Sequence, residues 1–282
     1  MEFGRVDHEE LTVIDFTLPP DPQQTIDILN ASPGTDHFDL RVGATKWGRK
    51  EWLGNLYPAK INEQNFLEEY VKHFNSIYLN ATFYQIYGAD QILKWKQQAA
   101  GNPDFKFYPK MSQSISHLRR LRNADVLTSN FIEGVRALGD TLGPAQLQLG
   151  DNFTPTSFQH LKTYIESFPK DFECFVELRN KDWFEPEWLK QVDELFSKHN
   201  VGSAMTDAAG RRDCVHMHLT IPKTSIRFVA TGDDKLDRKR LDDWADRIKA
   251  WKSKGLLSAG FFITGHEEDM TPDFIKYFCS KF

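Results

Sequence analysis

The sequence lacks the features that mark several large classes of protein. Its three cysteines are an odd number without a CxxC pair, which favours reduced thiols in a cytosol over a disulfide framework. No apolar run approaches the ~20 residues of a membrane-spanning helix, and the first residues are acidic where a signal peptide begins with basic ones. We therefore expect a cytoplasmic protein that has no membrane partner.

The sequence also has no overall excess of basic residues and no familiar cofactor motif. Its formal net charge is −5, so any polyanion would have to be held by a local patch. HExxH, P-loop, GxGxxG and GxSxG are all missing. The segments Gly232-Asp233-Asp234 and Gly265-His266-Glu267-Glu268, which follow the last two predicted strands, are too acidic for the usual phosphate grip of a barrel. We expect no cofactor.

What the sequence does contain is a regular alternation of two kinds of segment. Helix-like stretches fill most intervals between eight short apolar segments, which begin near Phe38, Ser76, Phe105, Gly143, Glu173, Val201, Ser225 and Ala259. This α/β pattern predicts a parallel sheet closed into a TIM-type (β/α)8 barrel, which takes roughly 250 residues. With 282 residues, 40% of them apolar, the chain fits a single barrel domain over residues 37–282, preceded by an N-terminal extension over residues 1–36.

Six motifs follow one another along the predicted barrel. They are Val42-Gly43-Ala44-Thr45-Lys46-Trp47; Trp52-Leu53-Gly54 with Tyr57-Pro58; Leu79-Asn80-Ala81-Thr82-Phe83-Tyr84; Gly143-Pro144 with Gln146-Leu147-Gln148; Glu177-Leu178-Arg179 with Asp182-Trp183-Phe184; and Asp207. Their order and spacing resemble the DUF72 family, also called YecE-like proteins. The resemblance implies a TIM-type barrel and no established reaction. The residues that match the family's motifs are Trp47, Asn80, Thr82, Tyr84, Lys110, Gln148, Glu177, Arg179, Trp183 and Asp207.

Three residues near strand ends are the candidates for catalysis: Glu177, Asp207 and Lys110. Barrels of this type place their active sites at the C-terminal ends of the strands, and two carboxylates in different environments could serve as acid and base. Lys110 could act as a base or form an imine, but we favour a cation that binds a carboxylate or phosphate. The alternative for Asp207 is a structural aspartate that caps the next turn or binds Arg211 or Arg212.

The remaining candidates are expected to bind the ligand. Glu177 and Arg179 lie two apart on a strand and should point the same way, either as a working pair or as a structural ion pair. Aromatic side chains could stack on a sugar ring or a base, or simply pack under loops, whereas amides and hydroxyls would orient the ligand. The predicted ligand-binding residues are Lys46, Trp47, Asn80, Thr82, Tyr84, His117, Gln146, Gln148, Arg179, Trp183 and Arg227.

A metal site is not among our predictions, although His216 and His218 form an HxH pattern. Two imidazoles on one face of an extended segment suit a metal, yet this pair precedes the seventh strand and does not follow a strand end. The sequence leaves open whether residues 214–219 form an extra strand.

The sequence therefore favours an enzyme-like barrel for a small anionic or sugar-containing ligand, a hydrolase or lyase that uses Glu177 and Asp207. One alternative is a nucleic-acid-binding or endonuclease-IV-like barrel, in which aromatic side chains stack on bases and phosphates are followed by Arg119, Arg120, Arg122, Arg211 and Arg212. Another alternative is a binding protein without chemistry. Neither the substrate nor the oligomeric state follows from the sequence.

Overall fold

The computed structural model describes residues 3–265 and 268–282, so that His266 and Glu267 of the acidic loop lie outside the described residues. Its strands are β1 Asp39–Ala44, β2 Ser76–Leu79, β3 Lys106–Pro109, β4 Ala145–Gln148, β5 Cys174–Glu177, β6 Gly202–Asp207, β7 Lys223–Val229 and β8 Ser258–Thr264. Its α-helices are α1 Gln23–Ala31, α2 Phe66–Tyr70, α3 Ala81–Tyr84, α4 Ala89–Gln98, α5 Asp125–Arg136, α6 Phe158–Ser167, α7 Pro186–Lys198, α8 Asp234–Ser253 and α9 Thr271–Cys279. Eight parallel strands with helices between them make a TIM-type (β/α)8 fold, as predicted.

The chain divides into two compact units, which we call the central unit (residues 43–183) and the terminal unit (residues 1–42 and 184–282). In the central unit the end of β1 pairs with β2, and β2 pairs with β3. Single bridges join the neighbourhood of β3 to that of β4, one of them between Lys110 and Gln146, and β4 pairs with β5 over its whole length. These strands are almost fully buried, because helices cover the sheet of an α/β protein.

In the terminal unit β7 is the middle strand, paired with β6 on one side and with β8 on the other. The register sets Thr206 beside Arg227 and Asp207 beside Phe228. Asp233 caps the N-terminus of the long helix α8, because its side chain accepts a hydrogen bond from the backbone N–H of Leu236 over 2.9 Å. Its buried face carries Trp244 and Trp251.

The N-terminal residues belong to the terminal unit and are tied to it by specific bonds. Thr25 in α1 donates from Oγ1 to the Met217 carbonyl over 2.7 Å and accepts from the Leu219 N–H over 2.8 Å. Asp21 accepts hydrogen bonds from Arg247 over 2.6 Å and from Trp251 over 3.0 Å. Helix α1 was not predicted, because its buried residues are too few to produce a periodic pattern.

Most predicted boundaries are close to those of the structure, and three regions need correction. The helix predicted over residues 62–74 is a 3₁₀ turn, Glu63–Asn65, followed by the short helix α2. The sequence pattern predicts helices near residues 129–138 and over residues 237–254. Helix α5 begins four residues earlier, at Asp125, and α8 begins three residues earlier, at Asp234. After a 3₁₀ turn at Arg212–Cys214, residues 215–219 form no strand.

None of the helices within residues 3–265 and 268–282 is both long enough and apolar enough to cross a bilayer.

Candidate functional site

Polar side chains meet at the C-terminal ends of β3, β4 and β5 in the central unit. Lys110 directly follows β3, Gln148 is the last residue of β4 and Glu177 is the last residue of β5. Gln148 and Glu177 are register partners, and side chains paired across neighbouring strands lie on the same face of the sheet. All three residues are buried, with exposed fractions of 8%, 3% and 5%. The sequence-predicted Lys110, Gln148, Glu177 and Arg179 are thus brought together.

These four side chains form one continuous chain of hydrogen bonds. The Lys110 ammonium donates to Oε1 of Gln148 over 2.9 Å, and Nε2 of Gln148 donates to Oε2 of Glu177 over 2.8 Å. Arg179 donates from Nε to Oε1 of Glu177 over 2.7 Å. An ammonium only donates, so the amide must turn its oxygen to Lys110 and its N–H to Glu177. Both oxygens of Glu177 therefore accept, which is the pattern of an ionised carboxylate.

An aromatic surface adjoins this hydrogen-bonded chain. The Lys110 ammonium lies 4.0 Å from the ring centroid of Phe83, a cation–π distance. The His117 ring packs edge-on against Phe83 at 5.1 Å, and its Nδ1 lies 2.8 Å from the Ser116 hydroxyl. Gly150 gives the imidazole room, because a Cβ there would come within 3.3 Å of Cδ2 of His117. His117, one of the predicted ligand-binding residues, therefore lies next to Lys110.

The pKa of His117 reflects these surroundings. Burial lowers the pKa below its ordinary value, and the positive charges of Lys110 and Arg179 lower it further. Glu177 and Asp151 oppose this shift in part. His117 therefore favours its neutral form, in which one ring nitrogen can accept a proton.

A cavity lies at the ends of β1 and β2, also in the central unit. Its volume is about 250 Å³, and its walls are Thr45, Lys46, Trp47, Gly48, Asn80, Ala81 and Tyr84. Lys46 is exposed, and the Asn80 amide donates to the Thr45 carbonyl over 3.3 Å. Four of the predicted ligand-binding residues, Lys46, Trp47, Asn80 and Tyr84, therefore share one cavity.

Three other predicted ligand-binding residues of the central unit have structural surroundings. Oγ1 of Thr82 lies 2.8 Å from the carbonyl oxygens of both Leu79 and Lys110, which ties α3 to the end of β3. Trp183 is fully buried and stacks on Phe153, and its indole N–H donates to the Phe153 carbonyl over 2.6 Å. These contacts match the alternative in which the aromatic ring packs under a loop. Gln146 is buried, and its amide donates to the Pro144 carbonyl over 3.3 Å.

Asp207, in the terminal unit, has the surroundings of a structural ion pair. Its carboxylate accepts from Arg240 over 2.7 Å, from the Trp244 indole over 2.6 Å, and from Arg212. Burial raises its pKa, but the charges of Arg240 and Arg212 and the indole hydrogen bond outweigh burial and leave the pKa lowered. These contacts match the alternative interpretation, in which Asp207 is a structural residue that binds Arg212.

Strand parity explains why Asp207 faces away from the predicted cleft. Arg240 and Trp244 belong to α8, and the Arg240 guanidinium also lies 4.2 Å from the ring of Phe228, the register neighbour of Asp207. Asp207 and Phe228 are thus on the helix-facing side of the sheet. The preceding pair, Thr206 and the predicted ligand residue Arg227, must lie on the opposite face because side chains alternate along strands.

The HxH pattern makes internal contacts in the terminal unit. Nε2 of His216 lies 3.2 Å from the Ala204 carbonyl, and its Nδ1 accepts from the His218 backbone N–H over 3.1 Å. His218 binds Asp193 through Nδ1 at 2.6 Å. Within the described residues, no group of three His, Cys, Asp or Glu side chains has a geometry that could hold a metal ion.

Comparison with known proteins decides the family. A family model described as "Protein of unknown function DUF72" matches residues 41–282. The chain belongs to the DUF72 family. Among its relatives, UPF0759 protein YecE of Escherichia coli O157:H7 is 27% identical over 231 residues, which cover 75% of this chain and 82% of YecE. UPF0759 protein YunF of Bacillus subtilis (strain 168) is 27% identical over 160 residues, 54% of this chain and 55% of YunF.

Crystal structures of other DUF72 proteins share the fold. The DUF72 protein of Enterococcus faecalis V583 superposes with a TM-score of 0.66 at 16% identity, over 87% of this chain and 98% of that protein. The DUF72 protein of Thermotoga maritima MSB8 gives a TM-score of 0.66 at 17% identity, over 86% and 98% of the two chains. At this level of identity the structural likeness establishes the fold and says nothing about the chemistry of this protein.

Phe83 is the site residue that sequence reasoning missed in this DUF72 chain. It lies within the motif Asn80-Ala81-Thr82-Phe83-Tyr84, whose other polar and aromatic members were chosen for their chemistry. The motif forms α3, so that Phe83 comes one turn after Asn80. Phe83 carries no polar group that would have selected it from the sequence, and its position beside Lys110 follows only from the tertiary contact.

Proposed function

We propose that this protein binds a small anionic ligand at the ends of β3, β4 and β5 and transfers a proton with Glu177, in a hydrolase- or lyase-type reaction. The observation that carries the proposal is the hydrogen-bonded chain Lys110–Gln148–Glu177–Arg179, whose first three residues are buried. Charged side chains are rarely this buried in a protein unless they are paired or serve a ligand.

The charges of these four hydrogen-bonded residues favour an anionic ligand. Lys110 and Arg179 supply two positive charges, and Glu177 supplies one negative charge. Within this four-residue chain the balance is therefore positive, and an anionic group brought beside Lys110 would offset it. The amide of Gln148 lies between the Lys110 ammonium and the Glu177 carboxylate and is hydrogen-bonded to both.

Glu177 is suited to begin a reaction as a base. Both of its oxygens accept hydrogen bonds, so the resting carboxylate carries no proton on the bonded positions. A proton taken from the ligand or from a water molecule would pass to Glu177, and Lys110 and Arg179 would stabilise the negative charge left on the ligand. Asp207 has no part in this proposed step, because its carboxylate binds Arg240 and Trp244 of α8, on the helix-facing side of the sheet.

The first test separates binding from chemistry. Acetate and inorganic phosphate are titrated into the wild-type protein and the Lys110→Met variant, with Lys198→Met, an exposed lysine of α7, as the matched control. We expect loss of anion binding only in Lys110→Met. Unchanged binding in that variant would contradict the anion site.

The second test addresses Glu177. A panel of carboxylate and phosphate esters is screened with the wild type, and any turnover found is measured again in Glu177→Gln at equal fold content by circular dichroism. We expect turnover to be abolished. Full activity in Glu177→Gln would remove Glu177 from the reaction, and anion binding without any turnover would favour a non-catalytic binding protein.

A second candidate function is the binding of single-stranded nucleic acid, and it rests on Arg119, Arg120 and Arg122. All three are exposed, and within residues 3–265 and 268–282 no carboxylate lies at ion-pair distance from them. Other arginines of the predicted nucleic-acid surface are paired, Arg211 with Asp213 and Arg212 with Asp207. Buried Leu121 anchors the segment, donating its N–H to the Ile115 carbonyl over 3.0 Å.

Salt dependence tests this candidate. Binding of a labelled single-stranded oligonucleotide is measured by anisotropy between 50 and 200 mM salt, for the wild type and for a variant with Arg119, Arg120 and Arg122 changed to Gln. Each lost phosphate contact should lower the logarithmic salt slope by about 0.7. The control is a variant with Lys190→Gln and Lys198→Gln. No oligonucleotide binding by the wild type, or the same salt slope for the triple arginine variant and this control, would contradict the candidate.

A further inference from the structure

The cavity at the ends of β1 and β2 has the dimensions of a ring-binding site. Its volume is about 250 Å³. An apolar protein cavity of about 150 Å³ already holds benzene. A single six-membered or fused ring therefore fits, and a larger ligand would extend into solvent.

Two aromatic side chains line the cavity, and contacts fix both of them. Tyr84 is 69% exposed and packs edge-on against Phe83 with the ring centroids 5.3 Å apart. Trp47 packs edge-on against Trp95 at 5.8 Å, and its carbonyl accepts from the Tyr57 hydroxyl over 2.8 Å. The Tyr84 ring, at the C-terminal end of α3, therefore has surface left for a partner.

The walls favour an aromatic ring over a sugar. The surface of the cavity is largely apolar, and its polar side-chain groups are those of Thr45, Lys46 and Asn80, the Tyr84 hydroxyl and the Trp47 indole N–H. One of the two N–H groups of the Asn80 amide is already used on the Thr45 carbonyl. A sugar carries several hydroxyls that lose hydrogen bonds to water unless the site replaces them, whereas a planar ring needs mainly an apolar contact.

The Phe83 ring lies between the cavity residue Tyr84 and the proposed anion site at Lys110. Tyr84 contacts Phe83, and Phe83 lies under the Lys110 ammonium at 4.0 Å. Helix α3 holds both rings, and Thr82 of the same helix fixes its position against the carbonyl of Lys110. A ligand with a ring at Tyr84 and an anionic group near Lys110 would follow this line of contacts.

We infer that this cavity is a subsite for the planar aromatic ring of the ligand, which contacts Trp47 and Tyr84. The inference rests on the proposed function, since it assigns the ring to the same ligand whose anionic group binds at Lys110. The substrate class is then an aryl compound with a carboxylate or phosphate.

The glycine at the edge of the cavity allows a sharp test. A Cβ at Gly48 would meet no atom within 4 Å, so valine there adds bulk in the cavity wall without a clash in the fold. Gly101, also exposed and with open space at its Cβ, provides the matched control Gly101→Val. Tyr84→Ala is the second variant, and it removes the ring instead of filling the space.

The experiment uses four probes: phenylacetate, acetate, phenol and methyl β-glucoside. NMR titrations follow the Trp47 indole N–H, assigned with Trp47→Phe. We expect phenol and phenylacetate to shift this resonance and phenylacetate to bind at least tenfold more tightly than acetate. Gly48→Val and Tyr84→Ala should each weaken phenylacetate tenfold or more and change acetate less than twofold, and Gly101→Val should change neither.

Other results overturn the inference or the proposed function separately. A Trp47 response to the glucoside and not to phenol, or equal phenylacetate affinity in wild type, Gly48→Val and Tyr84→Ala, would overturn the ring subsite. Phenol binding at Trp47 with no acetate binding anywhere would support the ring subsite and contradict the anion site at Lys110.

Discussion

Gln148 donates from Nε2 to Oε2 of Glu177 over 2.8 Å, and the two residues are register partners at the ends of β4 and β5. The other end of the same amide accepts from Lys110. A neutral side chain thus fixes the orientation of a cation and an anion at once. This arrangement follows from strand register, because a shift of β5 by one residue would turn Glu177 to the other face.

Gln148→Leu should destabilise the protein, because it leaves Lys110 and Glu177 buried with one hydrogen bond fewer each. We expect the free energy of unfolding to fall by about 3 kcal/mol. Urea denaturation monitored by circular dichroism measures the change. Gln159→Leu, on the exposed side of α6, is the control and should change stability by less than about 0.5 kcal/mol. Equal effects in the two variants would contradict the buried network.

The pKa of His117 should report the charges around it. Loss of a nearby cation in Lys110→Met should raise this pKa, and loss of the anion in Glu177→Gln should lower it, because the two charges shift it in opposite directions. NMR titration of the imidazole protons gives the pKa of each variant. Shifts of the same sign in both variants would show that His117 does not lie in this cluster.

Asp207→Asn should destabilise the protein without affecting anion binding at Lys110. Removal of the carboxylate leaves Arg240 fully buried with one ionic partner fewer, which costs about 3–5 kcal/mol. Asp243→Asn, which breaks an exposed pair with Lys239 in the same helix, should cost under about 1 kcal/mol. Chemical denaturation and acetate titration measure the two properties. A variant of normal stability that has lost acetate affinity would reverse the assignment of Asp207.

His216 should make the protein less stable in acid. Burial, followed by the nearby His218, lowers the pKa of His216 from 6.5 to about 4 in the folded state. Between these values the unfolded chain binds a proton that the folded chain does not, so stability is lost as the pH falls from 6.5 to 4. The loss attributable to this group is on the order of 3 kcal/mol.

Denaturation curves over this pH range compare the wild type with His216→Gln. The variant should have a flatter dependence of stability on pH, whereas His37→Gln, at an exposed histidine, should keep the wild-type slope. Parallel curves for the wild type and His216→Gln would show that His216 does not titrate between pH 6.5 and 4 on unfolding.

The sequence predicted the strands better than the helices around them. Each predicted strand start lies within two residues of an observed one, because a buried parallel strand is a short apolar run with clear ends. Helix α1 has only Thr25 and Leu29 as buried residues, and α2 lasts five residues, so neither produces a long periodic pattern.

The sequence by itself determined the order of strands and the residues at their C-terminal ends, because local patterns of apolar and polar residues encode both. Glu177, Arg179, Gln148 and Lys110 could be grouped on that basis alone. Only the tertiary structure decided which of these polar side chains contact one another and which are held by a helix packed behind the sheet. Asp207 and Glu177 look alike in the sequence, each an acid at the end of a strand. The face on which a strand's last side chain points depends on register and on the helix packed behind it, and for Asp207 that helix supplies Arg240 and Trp244.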